Sequence, residues 1–142
     1  MSGEKDLRKL LSGMRPELNP GRYVFGFVES GGQGSGEGSG GSVPAGVVPV
    51  VSVAEPEGLT LVVRLEEAEA AGLRYDFVAG WITLRVHSAL EAVGLTAAVA
   101  QRLTEAGLSC NVVAGFHHDH LFVPYERAAE AVALLEELAQ QS

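Results

Sequence analysis

Residues 81–125 read WITLRVHSALEAVGLTAAVAQRLTEAGLSCNVVAGFHHDHLFVPY, and this stretch decides the fold. Side chains of a strand alternate between faces, so over Trp81 to Ser88 the residues Ile82, Leu84 and Val86 point one way and Trp81, Thr83, Arg85 and His87 the other. The spacing predicts that the first face is core. The pattern breaks at Gly94 and resumes with Leu95, Val99, Leu103 and Ala106, which share one stripe of a helix laid over that strand. Gly107 supplies the left-handed residue that commonly ends a helix, and Leu108 folds back on the last turn. Cys110 to Phe116 and Leu121 to Val123 then form a hairpin across the polar turn Phe116-His117-His118-Asp119-His120. After Pro124, Ala128, Ala131, Val132, Leu135 and Leu138 recur at helical spacing, with Glu126 where an acid favours a helix start.

Upstream, Leu7, Leu10, Leu11 and Met14 fall at i, i+3, i+4 and i+7 on a short helix that Gly13 can stop. Met14 to Leu18 is expected to be extended, Asn19-Pro20-Gly21 to turn, and Arg22 to Val28 to be a strand. Val47 to Val53 and Leu59 to Leu65 are extended runs around Glu55-Pro56-Glu57-Gly58, with Pro49 placing the first at an edge or bulge. Glu66 to Ala71 is a short helix ended by Gly72, and Tyr75-Asp76-Phe77 leads into the strand that starts the second half. The stretch 29–46, ESGGQGSGEGSGGSVPAG, has too little apolar surface to offset the entropy of ordering and is expected to be a mobile loop. Gly36 to Gly41 has the spacing of a dinucleotide-binding GxGxxG. That motif needs a helix to begin there, and Ser-Val-Pro-Ala-Gly follows instead, so no cofactor is expected.

The string VHSALEAVGLTAAVA followed by AGLSCNVVAGFHHDHLFVPYERA, in the order strand, helix, strand, strand, helix, resembles the small stand-alone branch of the ACT-domain family, whose members carry two ACT-like lobes in one short chain. The resemblance runs over about residues 14–138. It implies an α+β, ferredoxin-like (βαββαβ) ACT-type sandwich made of two degenerate lobes that share antiparallel sheets. The lobes are expected at 1–77, which includes the loop at 29–46, and at 78–142. The resemblance also implies ligand sensing, usually of an amino acid, and not catalysis.

Family members that bind amino acids do so around the loop after the first strand, often between ACT units. Carried to this sequence, that loop comprises His87, Ser88, Val93, Gly94, Leu95 and Thr96, with Asn111, His118 and Asp119 contributed by the hairpin. Free main-chain N–H groups near Gly94, Leu95 and Thr96 favour a carboxylate, and Asn111 or Asp119 can receive an ammonium. Ser88-Ala89-Leu90-Glu91 spells a capping box, but Gly94 would fall inside the helix it starts, so 88–93 reads as a shaped loop.

Two other chemistries are weighed against this. Imidazole and carboxylate in His117-His118-Asp119-His120 suit a metal ion, yet adjacent residues of a hairpin point to different sides, so the run reads first as turn residues or ligand contacts. Ser88, His87 and Glu91 are the residue types of a hydrolase triad packed into five positions, without the separated segments or G-x-S-x-G that such catalysis needs, so no enzyme is expected. Cys110, the only cysteine, lies in an apolar strand and reads as a buried thiol.

Composition bounds the rest. A net charge of −8 with only Arg8 and Lys9 adjacent among the cations excludes a phosphate-binding surface, so nucleic acid is not an expected partner. MSGEKDLRKLL lacks the apolar core of a signal peptide, and no run approaches the roughly 20 apolar residues of a membrane span. A cytoplasmic location is expected. Trp81, Thr83 and Arg85 lie on the strand face opposite the predicted helices, and an open Trp-bearing sheet predicts a homodimer.

Overall fold

Asp6 begins the first helix: its carboxylate accepts from the main-chain N–H of Arg8 at 3.0 Å and of Lys9 at 3.4 Å, serving donors that a helix start leaves unpaired. The computed structural model of the chain describes residues 6–30, 42–86 and 92–142. From this cap the order is α1 (Leu7–Gly13), β1 (Pro16–Glu29), β2 (Val51–Glu55), β3 (Gly58–Arg64), α2 (Leu65–Ala70), β4 (Arg74–Leu84), α3 (Leu95–Glu105), β5 (Asn111–Ala114), β6 (Asp119–Pro124), a 3-10 turn (Tyr125–Arg127) and α4 (Ala128–Gln140). Of the loop expected at 29–46, residues 31–41 with their GxGxxG spacing lie outside the described residues, as do His87, Ser88 and the capping box through Glu91, whereas Glu29 ends β1 and pairs with Gly58.

The chain divides into two compact units, Met1–Pro20 with Ala79–Ser142, and Gly21–Val78, so β1 and β4 each contribute a part to each unit. This is how two short lobes share antiparallel sheets, as the βαββαβ expectation requires. In the first unit the strand order is β1-β4-β6-β5, and in the second it is β2-β3-β1-β4.

In the first unit, β6 pairs antiparallel with both β4 and β5 and sets the register: Ile82 faces Leu121 and Val112, Trp81 faces Phe122 and Asn111, and Thr83 faces His120 and Val113. Directly opposed residues share a face. Ile82, Leu84, Leu121 and Val123 therefore form one apolar layer, covered by Leu10, Leu11 and Met14 from α1 and its end, Leu95, Val99 and Leu103 of α3, and Ala128, Ala131 and Leu135 of α4. Of the stripes read from the sequence, these residues are buried, while Ala106, Val132 and Leu138 are partly buried and Leu7 is 36% exposed. The end of α3 follows expectation: Gly107 has φ +75°, and the N–H of Leu108 returns to the carbonyl of Leu103 at 2.9 Å. Arg127 adds a second closure, donating to the carbonyls of Ala106 at 3.0 Å and Gly107 at 3.3 Å while its guanidinium grips Glu130. No local pattern announces this contact.

In the second unit, Val24 of β1 and Leu61 and Val63 of β3 bury one face against Val47, Leu65 and Ala68. β2, preceded by Pro49, is an edge strand, as expected. It begins at Val51 rather than Val47, although the N–H of Val50 already reaches the carbonyl of Val62 at 2.7 Å.

Three local readings change. Asn19-Pro20-Gly21 does not turn: it lies inside the 14-residue strand β1, where the Asn19 amide donates to the carbonyl of Trp81 at 3.2 Å and to the Thr83 hydroxyl at 3.0 Å. Pairing across more than 60 residues of chain outweighs the turn preference of three residues. β4 ends at Leu84 rather than at Ser88; the N–H of Arg85 still reaches Arg15 O at 2.8 Å, but Val86 already bends back to Leu84 O. The hairpin is tighter than the polar run suggests. Gly115 and His118 close the turn at 2.9 Å, while Asp119 and His120 belong to β6.

Candidate functional site

Two elements meet the end of the sheet where β4 stops. α3 begins after the segment that follows Leu84, and the hairpin turn precedes Asp119, whose strand partners are Leu84 and Ala114. Because Leu84 belongs to the helix-covered layer, Asp119 points to that same side of the sheet.

Gly94 starts α3 with φ +106°, a left-handed conformation that leaves no side chain to cap the helix. Within the helix the first bond is from Ala98 N–H to Gly94 O at 2.9 Å, so the N–H groups of Leu95, Thr96 and Ala97 open the helix without intrahelical acceptors. A Cβ on Gly94 would approach Leu7 Cδ2 at 3.1 Å, so the α1 side chain packs directly against this start. The side chain of Leu95 is in the core and contributes only its main chain, whereas Thr96 is exposed and Val93 is 83% exposed.

Of the hairpin residues, Asp119 and His118 are brought to this end of the sheet. Burial pushes the Asp119 carboxyl above its usual range, against the opposing pull of His120 and His118. A carboxylate held in that environment gains from a cation placed beside it. His118 Nδ1 is a buried ring nitrogen without a hydrogen-bond partner, although its ring lies 6.3 Å from that of His117. Asn111 is not brought to them: it is exposed at the other end of β5, opposite Phe122, three residues from Ala114 and so about 10 Å along the strand. His87 and Ser88 lie outside the described residues.

The opposite sheet face holds a polar group of side chains that the linear reading assigned to separate places. Trp81 Nε1 donates to His120 Nδ1 at 3.1 Å, the Thr83 hydroxyl lies 3.3 Å from the same nitrogen, and Asn19 bonds Thr83 in turn. Phe122 is 0% exposed and stacks with the indole at 6.3 Å between centroids. Trp81 is thus half-buried with its N–H satisfied, not the open aromatic surface expected from alternation alone. The signal was present in the sequence, since counting back from an inward Leu121 turns His120 outward beside Thr83.

Among the described residues, no three His, Cys, Asp or Glu side chains are placed to hold one metal ion. Cys110 is half-buried, and burial pushes its thiol up to about 11, far from a reactive thiolate. A cavity of about 420 Å³ lined by Ser12, Met14, Arg15, Pro16, Glu136 and Gln140, among others, lies at the ends of α1 and α4 and shares no residue with the α3 start. No helix among the described residues is long and apolar enough to cross a membrane.

Helices over one face of an antiparallel sheet in the order β4-α3-β5-β6-α4, with a strand borrowed from the start of the chain, define an α+β sandwich of the βαββαβ class. Two different ACT-domain models match the chain, one over residues 2–80 and the other over 76–137. The chain belongs to the ACT-domain family. It is 46% identical to a Vibrio cholerae protein of unknown function, a possible transport protein, with a TM-score of 0.78 over 96% of this chain and 98% of that one. The ligand-free regulatory subunit of aspartate kinase from Thermus thermophilus shares the fold at 12% identity and TM-score 0.56, over 87% of this chain and 95% of that one. Aspartokinase III from E. coli, in complex with aspartate and ADP, does so at 11% identity and TM-score 0.59, over 87% of this chain and 32% of that one. No curated protein matches the chain.

Proposed function

We propose that this protein is a ligand-sensing regulatory module, not an enzyme, that binds an amino acid or a similar small metabolite at the 87–96 loop. Its two ACT-like lobes, 1–77 and 78–142, are those of a sensor. The observation that carries this reading is the start of α3: a left-handed Gly94 gives no side-chain cap, and among the described residues the first main-chain N–H groups have no acceptor within the helix, which suits a carboxylate. Asp119, on the helix side of the same sheet end, supplies the counter-charge for an ammonium, and its desolvated carboxyl favours that pairing. That aspartokinase III is seen with aspartate, on a related fold, supports the ligand class.

A helix start contributes about 0.3–1 kcal/mol toward an exposed carboxylate. Micromolar affinity needs about −8 kcal/mol, so side-chain burial and a second surface supply most of it. A thermal-shift screen of the amino acids tests the reading. At least one is expected to raise the melting temperature, since a ligand at about 100 times its Kd adds about 2.7 kcal/mol. No shift at millimolar concentration with any of them points instead to an assembly module, and a shift with zinc or nickel alone to the metal reading of His117 to His120.

We also infer a homodimer as the working form, because the ligand surface that α3 cannot complete alone is supplied most simply by a second copy. Light scattering at tens of micromolar reads this directly. A dimer that dissociates in Trp81→Ser places the contact on the Trp81 face; one that persists places it elsewhere, and a wild-type monomer refutes it.

A further inference from the structure

Trp81 is the single tryptophan of the chain, and its indole N–H can only donate. Its acceptor, His120 Nδ1 at 3.1 Å, is therefore an unprotonated nitrogen, and the ring carries its hydrogen on Nε2. Thr83 strengthens the assignment. Asn19 Nδ2 donates to the Thr83 oxygen at 3.0 Å, which leaves the hydroxyl hydrogen free to point at His120 Nδ1, 3.3 Å away. Two donors thus converge on one lone pair. A proton arriving at Nδ1 breaks the bond from the indole, whose N–H cannot accept it, and can be received only by the Thr83 oxygen once that hydroxyl turns its hydrogen away, within a site where Thr83 is 5% exposed.

We propose that His120 is a proton-operated latch: neutral, its Nδ1 holds the Trp81 indole N–H, and protonated, it releases the indole while the Thr83 hydroxyl turns to accept. The ring's other nitrogen connects the latch to the hairpin turn, for a Cβ placed on Gly115 would lie 3.2 Å from His120 Nε2 and 2.8 Å from His118 O. One imidazole therefore bonds the indole through one nitrogen and lies with the other beside Gly115 of the turn that His118 closes. The charged groups around it are His118 and Asp119 on the turn and β6, and Arg85 beyond the end of β4, itself paired with Glu17 at 2.7 Å. Burial first, then His118 and Arg85, hold the imidazole below its ordinary 6.5, against Asp119, in agreement with the geometry. Since the folded value lies below the unfolded one, the latch contributes full stability above pH 6.5, and that contribution is lost as pH falls through the folded value. The inference stands apart from the ligand reading and survives its failure.

The single indole makes the test direct, using the full chain without ligand. Trp81 emission is followed from about pH 8 to about pH 4, with far-ultraviolet circular dichroism defining the range in which the protein stays folded and the His120 ring protons followed by NMR. The expected result is one emission transition inside the folded range, with a midpoint below 6.5 that coincides with the His120 titration. It is absent in His120→Gln. In Trp81→Phe, which removes the donor that favours the neutral ring, the His120 midpoint read by NMR moves up; this variant decides the matter if His120→Gln does not fold. Emission that stays flat until the fold is lost, a transition retained in His120→Gln, or a His120 midpoint at or above 6.5 overturns the proposal.

Discussion

Phe122→Ala is expected to cost about 3–5 kcal/mol of unfolding free energy, the range for deleting a fully buried aromatic ring. Phe122 is 0% exposed and stacks on Trp81, whose N–H is held by His120, so its removal leaves a cavity beside an indole that is tied in place. The indole cannot collapse inward without breaking that bond, which places the cost toward the upper end. Urea unfolding followed by circular dichroism reads it as a lowered midpoint. Phe116→Ala is the control: at 73% exposure on the hairpin turn, that ring should change stability by no more than about 0.5 kcal/mol. Similar losses from the two changes would mean that the Trp81 face is not a packed layer.

The other face answers to Leu103→Ala, expected at about 2–5 kcal/mol. Leu103 is 0% exposed at the centre of the α3 stripe and packs in the layer formed by Ile82, Leu84 and Leu121 with α1 and α4. Its carbonyl also anchors the end of α3 through Leu108, so the substitution is best kept to the side chain, where alanine preserves the helix. The two substitutions lie on opposite faces of β6 and its neighbours and share no side-chain partner. Their effects in the double variant should therefore add to within about 0.5 kcal/mol. A coupling well above that would show that strain passes through the sheet from one face to the other.

The candidate site divides along the same line between local and distant information. The start of α3 is legible because a break at Gly94 followed by a stripe at Leu95, Val99 and Leu103 is a local pattern, and Gly94 does take a left-handed backbone there. The placement of Asp119 and His118 at the sheet end where β4 stops, and of Asn111 at the other end of β5, is not legible. It depends on the register Leu84 to Asp119 to Ala114, which a hairpin turn two residues longer would have changed.

By itself the sequence determined which segments are helices, where they stop and which of their faces are apolar, and which alternating residues of β4 and β6 point together. Each of these rests on contacts within about four residues, or on the two-residue period of an extended chain, so the information is present in any short window. Only the tertiary structure decided that Asn19-Pro20-Gly21 lies within β1, that β1 and β4 each serve both compact units, and that His120 accepts from Trp81. The bonds that fix these points join Asn19 to Trp81 and Thr83, and His120 to a strand 37 to 39 residues earlier. No window of local sequence contains both partners of such a bond, and a turn preference worth a fraction of a kcal/mol per residue gives way when the sheet supplies acceptors on the far side of the chain.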